Sequence, residues 1–173
     1  MISPFLTRPV PKLRVPPAED PQRQRFYRME REFVGASINH VANRTHLQAI
    51  ADHACAYYKI KPVKVIVYRD LKSRDFGESV YYSTDNFKTL YGHAVRLNRG
   101  FHGANAPTLL HELAHYIVDD TYVGHRSHGK QFVGVYMHLL AKYRVIPSDS
   151  FRVLAKRYRV KIAGKFKPGA IRG

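Results

Sequence analysis

The residues His111, Glu112 and His115 draw attention first, because together they form the pattern His-Glu-x-x-His. On a helix, side chains four residues apart lie one above the other on the same face. Two imidazoles at that spacing bind one tetrahedral Zn²⁺ through neutral ring nitrogens, and the glutamate between them accepts a proton from a water molecule that the metal activates. The pattern therefore predicts a zinc site with Glu112 as the general base of a hydrolase.

The sequence around this pattern is typical of a helix from about Pro107 to Val118. Asn105 is expected to cap its N-terminus, and Pro107 suits the first turn, where no backbone donor is needed. Apolar residues recur at three- and four-residue spacing on the face expected to meet the core, namely Leu110, Leu113, Ala114 and Ile117. We therefore expect the two histidines on the opposite side of the helix, facing a cleft.

A catalytic zinc needs a third protein ligand. No glutamate follows Glu112, and the position six residues after His115 is a threonine. The remaining downstream candidates are Asp119, Asp120, His125, His128 and His138. The neighbours of His138 suggest packing in the next helix, and the two aspartates end the motif helix, where carboxylates are commonly solvated. His125 and His128 remain as alternatives.

A second stretch, His128-Gly-Lys-Gln-Phe132, follows the motif by about a dozen residues and opens a helix. Over about residues 90–143 the chain resembles the SprT-like (Spartan-type) zinc metallopeptidases. This resemblance implies a zincin-like fold, peptidase activity and His128 as the third zinc ligand. Gly129 agrees with this choice, because a glycine at the helix start lets the backbone approach the metal. His125 would then support the site from the loop or be solvated.

The chain departs from many members of that family in its cysteine content. They carry a C-terminal Cys-rich zinc ribbon, which this chain cannot form because Cys55 is its one cysteine. Small phage and actinobacterial proteins of similar layout also lack the ribbon, so we interpret the chain as a minimal catalytic domain. A single cysteine also excludes an internal disulfide, and we expect Cys55 to be a buried, inert thiol.

The elements that position the motif are predicted from periodicity and turn residues. Helices are expected over 44–59, 129–143 and 148–158, the last with Ser148 as N-cap, and strands over 63–68, 79–83 and 93–98. Residues 22–33 are interpreted as a strand or a short helix. This order predicts one α+β domain, with a small mixed or antiparallel sheet packed against the motif helix and further C-terminal helices.

The length of 173 residues fits one domain with short tails. Residues 1–21 hold six of the ten prolines and are predicted to be a flexible arm, residues 22–160 the domain, and 161–173 a basic tail. No stretch approaches the roughly 18 consecutive apolar residues of a membrane helix. Prolines also interrupt the N-terminus before a signal-peptide core could form. We therefore expect a cytoplasmic protein with no membrane association.

The charge predicts a polyanionic partner. Lys and Arg number 29 against 13 Asp and Glu, which gives a net charge of +16. From Ala141 to Gly173 there are ten basic residues and one acidic residue, and the last helix carries a basic face formed by Arg152, Lys156 and Arg159. Such a surface suits nucleic acid. SprT-like proteins often act on DNA-bound proteins, so the resemblance implies the same substrate class.

Two rival functions follow from the same residues. One is a basic, nucleic-acid-associated protein with a structural or vestigial zinc site; Glu112 argues against it, because a structural site needs no carboxylate between its ligands. The other is a zinc hydrolase of a non-peptide bond. Donors for a developing oxyanion are sought among the polar residues near the motif, Tyr116, Tyr122 and Arg126.

Overall fold

The structure is a computed structural model that describes residues 22–34, 42–69, 77–81, 93–99, 104–122 and 127–164. Within these ranges lie five helices and three strands: α1 (Arg23–Val34), α2 (Arg44–Tyr58), β1 (Lys64–Tyr68), β2 (Gly77–Tyr81), β3 (His93–Asn98), α3 (Ala106–Thr121), α4 (Lys130–Lys142) and α5 (Ser148–Arg157). The predicted α+β class is confirmed. The predicted arm and residues 165–173 of the predicted tail lie outside the described residues.

The three strands form a mixed sheet in the order β1-β3-β2. Strand β1 pairs with β3 in parallel, and β2 pairs with β3 in the antiparallel direction. Gln48 of α2 covers the outer edge of β1: its side-chain amide donates to the carbonyl of Val63 at 2.9 Å and accepts from the amide of Val65 at 2.8 Å. These bonds satisfy backbone groups that an edge strand otherwise leaves to water.

Helix α3 lies at the centre of the fold, in contact with α2, α4 and the sheet. The apolar face predicted for it is confirmed, since these side chains have no exposed surface: Leu110, Leu113, Ala114 and Ile117. The predicted N-cap is also confirmed, because the Asn105 side chain accepts a hydrogen bond from the amide of Thr108 at 2.8 Å. The cap and the apolar face together fix which way the histidines of α3 point.

Of the two alternatives left open for residues 22–33, the structure has the helix, Arg23–Val34. Other predicted boundaries differ from the structure. Strand β2 begins at Gly77, two residues before the predicted start. Ser148 is the first residue of α5 rather than its N-cap. Pro147 occupies the cap position; its side chain has no group that could accept a hydrogen bond, and its fixed φ suits the extended entry into the helix.

The first residues of the predicted basic tail are bonded to the domain. The amide of Lys161 donates to the side chain of Gln22 at 2.7 Å, and the amide of Ala163 donates to the carbonyl of Lys130 at 2.8 Å. Gly134 allows this approach, since a Cβ at that position would lie 3.3 Å from the Ala163 side chain. Residues 161–163 therefore pack against α4.

Two further expectations concern the core and the membrane. Cys55 is buried, as expected, and burial raises the pKa of its thiol to about 11, which disfavours the reactive thiolate near neutral pH. None of the described helices combines the length and hydrophobicity required to cross a bilayer.

Candidate metal centre

Helix α3 brings the two histidines of the motif together on one face, as the four-residue spacing predicts. The Nε2 atoms of His111 and His115 are 3.2 Å apart. His111 is buried, with 8 % of its surface exposed, and His115 is half-buried. The two rings therefore present their Nε2 atoms to a common point inside the protein.

His128 reaches the same point from the start of α4. It precedes Gly129, which is the N-cap residue of that helix. The Nε2 atom of His128 lies 3.4 Å from that of His111, and the candidate ligand nitrogens of the three histidines all lie within 4.8 Å of one another. His128 is only 3 % exposed, and its backbone carbonyl accepts a hydrogen bond from the Gln22 side chain at 3.0 Å. The backbone of this ligand is therefore tied to the start of α1.

These distances fit a tetrahedral metal site. Zinc–nitrogen bonds of about 2.0–2.1 Å place two ligand nitrogens of a tetrahedron about 3.3–3.4 Å apart. The measured separations from the Nε2 atom of His111 are 3.2 Å and 3.4 Å. His111, His115 and His128 thus sit close enough to bind one metal ion, and they form the group of candidate ligands found among the described residues.

Glu30 of α1 orients His111 through a hydrogen bond at Nδ1, the ring nitrogen that lies away from the other two histidines. The Nδ1–H of His111 donates to the Glu30 carboxylate at 2.7 Å. With the proton held on Nδ1, the Nε2 atom keeps its lone pair and points it at the other two histidines. Metal-binding histidines commonly have such a carboxylate on the ring nitrogen that does not bind the metal. Sequence reasoning missed Glu30, because it lies 81 residues before His111 and belongs to no motif.

Burial and neighbouring charges shift the pKa values of His111 and His128 in opposite directions. Burial works to lower the pKa of His111, but the attraction of Glu30 and Glu112 outweighs it, so the pKa is raised. For His128, burial and then repulsion from His111 and Arg23 lower the pKa to about 3. His128 is therefore neutral near pH 7, the form of imidazole that binds a metal.

Tyr27 of α1 also reaches the centre. Its hydroxyl lies 3.2 Å from the Nε2 atom of His128, and its ring is nearly parallel to that of His111, at 6.2 Å and 6°. Burial raises the pKa of the phenol, and the negative charges of Glu30 and Glu112 add to this against the opposing influence of Arg23. The phenol therefore keeps its proton near neutral pH. Sequence reasoning did not identify this residue either.

Two phenylalanines form an apolar wall around the imidazoles. Phe132 has no exposed surface, and its ring centroid lies 4.3 Å from that of His115 and 4.9 Å from that of His128. Phe26, equally buried, lies 5.8 Å from His111 and 5.5 Å from His128. These rings limit the motion of the ligands and keep the surroundings of low polarity.

Glu112 is buried, with 8 % of its surface exposed. Its negative charge contributes to raising the pKa values of His111 and Tyr27, so the carboxylate lies within electrostatic reach of the centre. His111 and His115 are the residues expected to face a cleft. His111 is buried and His115 half-buried, and Glu30 and Tyr27 of α1 contact the His111 ring.

The other candidates from the sequence do not join the group. Asp119 and Asp120 are exposed near the end of α3. His138 packs in α4 as expected, with its ring stacked on Tyr57 at 5.7 Å. The hydroxyl of Tyr116 donates to the carbonyl of Lys61, and Tyr122 is half-buried at the end of α3. His125 and Arg126 lie outside the described residues.

No protein-family model, no curated protein and no solved structure matches this chain. The candidate metal centre therefore rests on its own geometry, in which three imidazole nitrogens lie within 4.8 Å of one another and one carboxylate bonds to His111.

Proposed function

We propose that this chain is a zinc-dependent metallopeptidase of the zincin type, with His111, His115 and His128 as metal ligands and Glu112 as general base. One observation carries the proposal: three imidazole nitrogens lie within 4.8 Å of one another beside the glutamate of a His-Glu-x-x-His helix, and two of the separations, 3.2 Å and 3.4 Å, match a tetrahedral zinc site. Among transition metals that bind imidazole, zinc is the one that this helical pattern serves in hydrolases.

A catalytic site is favoured over a structural one by the number of ligands. Structural zinc sites are closed by four protein ligands, whereas catalytic sites use three and leave one position for water or substrate. Three histidines form the group among the described residues. When bound, zinc supplies a water of lowered pKa and polarises the carbonyl that is attacked.

The proposal gives each side chain a role. Glu112, as the glutamate of the motif, accepts the proton of the attacking water and delivers it to the leaving nitrogen. Glu30 keeps the proton of His111 on Nδ1, so that Nε2 remains a ligand. Phe26 and Phe132 pack against the imidazole rings and exclude water from where they contact them, which strengthens the electrostatic interactions inside the site.

The substrate class is proposed from the resemblance to SprT-like peptidases and from the charge. A net charge of +16 favours proteins bound to DNA as substrates, because the DNA would concentrate enzyme and substrate on one polyanion. Arg152 and Lys156 are exposed on α5, and Arg159 is exposed just beyond its end. These cations are available to phosphates.

The test combines metal analysis with a cleavage assay on labelled casein, with and without single-stranded DNA. We expect about one zinc per chain. Replacement of any one of the three histidines by alanine should remove most of it, whereas His125→Ala should keep it. Glu112→Gln should retain zinc and fold but abolish cleavage, because an amide cannot accept the proton.

The rival functions give different results in the same assay. Zinc bound without cleavage of casein, with or without DNA, would contradict a peptidase. Zinc retained in His128→Ala but lost in His125→Ala would contradict the assignment of the third ligand. Loss of zinc in Glu112→Gln would make Glu112 a ligand rather than a base.

A further inference from the structure

We propose that Tyr27 is a catalytic residue, which donates a hydrogen bond to the carbonyl oxygen of the scissile bond as that oxygen gains negative charge. This role rests on the proposed function and deepens it by naming the group that stabilises the transition state. Sequence reasoning sought that donor near the motif, whereas the structure brings one from α1.

The direction from which Tyr27 approaches is the first reason. Its hydroxyl lies 3.2 Å from the Nε2 atom of His128, which itself lies 3.4 Å from the Nε2 atom of His111. The phenol therefore reaches the side of the rings where the ligand nitrogens converge. Glu30, by contrast, bonds to Nδ1 of His111 on the opposite side of that ring. Tyr27 is thus placed to act at the reacting centre, and Glu30 to orient a ligand.

The partner of the phenol changes when the site is loaded. A ring nitrogen that binds a metal has no lone pair left to accept a proton, so His128 then no longer competes for the Tyr27 hydroxyl. The O–H group becomes available to an oxygen of the substrate beside the centre. Tyr27 is half-buried, which leaves part of the side chain accessible to a bound peptide.

The ring is held before the substrate arrives. It lies nearly parallel to His111 and 4.9 Å from His128, and the Arg23 guanidinium sits 5.6 Å from its centroid. Gln22 fixes the start of α1 by bonding to the carbonyl of His128 and to the amide of Lys161. A donor fixed in this way stabilises developing charge without reorganisation during the reaction.

In the hydrolytic step Glu112 transfers the proton, and Tyr27 stabilises the negative charge on the carbonyl oxygen. Glu112 takes one proton from the water as its oxygen bonds to the carbonyl carbon, and the π electrons of the C=O bond move to the carbonyl oxygen. Tyr27 donates a hydrogen bond to that oxygen and keeps its own proton. Glu112 then gives its proton to the amide nitrogen, the C–N bond breaks, and an amine and a carboxylic acid are released.

Other tyrosines near the motif direct their hydroxyls elsewhere. Tyr116 donates to the carbonyl of Lys61 at 3.2 Å, and the fully buried Tyr136 donates to that of Pro107 at 3.4 Å. Tyr136 also hydrogen-bonds to Glu30, which lies on the Nδ1 side of His111, and its side chain has no exposed surface. Neither residue is therefore placed to contact a substrate as Tyr27 is.

The experiment compares the zinc-loaded wild-type protein with Tyr27→Phe, using casein cleavage for kcat and KM and chelator competition for zinc affinity. We expect kcat to fall by about 10²- to 10³-fold, the effect of removing one oxyanion donor. KM, zinc affinity and the urea midpoint of unfolding should stay unchanged, since the ring remains. Tyr27→His, which restores an N–H donor, should recover part of the lost kcat.

Tyr158→Phe is the matched control, because it also removes one phenol that bonds to α1, through Glu32, away from the centre. It should cleave at the wild-type rate. A wild-type rate in Tyr27→Phe would overturn the role of Tyr27 and leave the peptidase intact. Loss of zinc in Tyr27→Phe would instead make the phenol a ligand or a structural support. A zinc-loaded wild-type protein that cleaves nothing would overturn the proposed function together with this role.

Discussion

The hydrogen bond between His111 and Glu30 leads to a quantitative prediction about metal affinity. The bond is 2.7 Å long and charge-assisted, and its donor is a buried ring with 8 % of its surface exposed. In Glu30→Ala the charged acceptor is lost, and the His111 proton is no longer held on Nδ1. We expect zinc affinity to fall by about 10- to 100-fold, the range for partners of this kind. That range corresponds to about 1.4–2.7 kcal/mol.

The assay is competition for zinc against a chromophoric chelator, with circular dichroism to check the fold. Glu32→Ala is the control on the same helix: it removes the bonds to Arg157 and Tyr158 but touches no ligand. Glu30→Gln should fall between wild type and Glu30→Ala, because its amide oxygen still accepts from Nδ1 but without the charge. Equal zinc affinity in wild type and Glu30→Ala, together with weakened binding in His111→Ala, would refute the orienting role.

Two further predictions concern the wall of the site and the surface charge. Phe132→Ala should destabilise the protein by about 3–5 kcal/mol, because it leaves a cavity against His115 and His128. Urea unfolding would measure this change in the free energy of unfolding. Val153→Ala is the control, since that residue is 62 % exposed, and it should lower the free energy of unfolding by less than about 0.5 kcal/mol. A similarly small effect of Phe132→Ala would contradict the packing. DNA binding, measured by fluorescence anisotropy, should weaken steeply with salt, and reversing the charges of Arg152, Lys156 and Arg159 should lower the log–log slope by about one for each phosphate that is no longer neutralised. Absence of binding at low salt would reduce these cations to a solubility feature.

Much of the local structure was predictable, because local residues determine it. The spacing of Leu110, Leu113 and Ile117 predicted α3, and Asn105 predicted where it begins. The four-residue separation of His111 and His115 predicted two ligand nitrogens on one face, which helix geometry makes nearly unavoidable. Residues within a few helical turns of one another are enough to determine such features.

The surroundings of the metal centre were decided by tertiary structure. Tyr27 lies 101 residues from His128, and Glu30 lies 81 residues from His111, so neither contact leaves a periodic pattern in the sequence. Helix α1 is rich in arginine and has no recognisable motif, and its identity as a strand or a helix was left open. Through Glu30 and Tyr27 this helix contacts His111, and no local pattern in the sequence predicted that contact.

The sequence by itself determined the pair of candidate ligands, the glutamate between them and the helix that carries them, because residues within one turn of a helix have fixed relative positions. His128, 17 residues after His111, was implied by resemblance and brought within 3.4 Å by the packing of α4 on α3. Only the tertiary structure decided which carboxylate orients His111 and which phenol faces the centre. Those choices depend on how α1 packs across the domain, and packing between distant segments is set by the shape and burial of the whole core rather than by any local pattern.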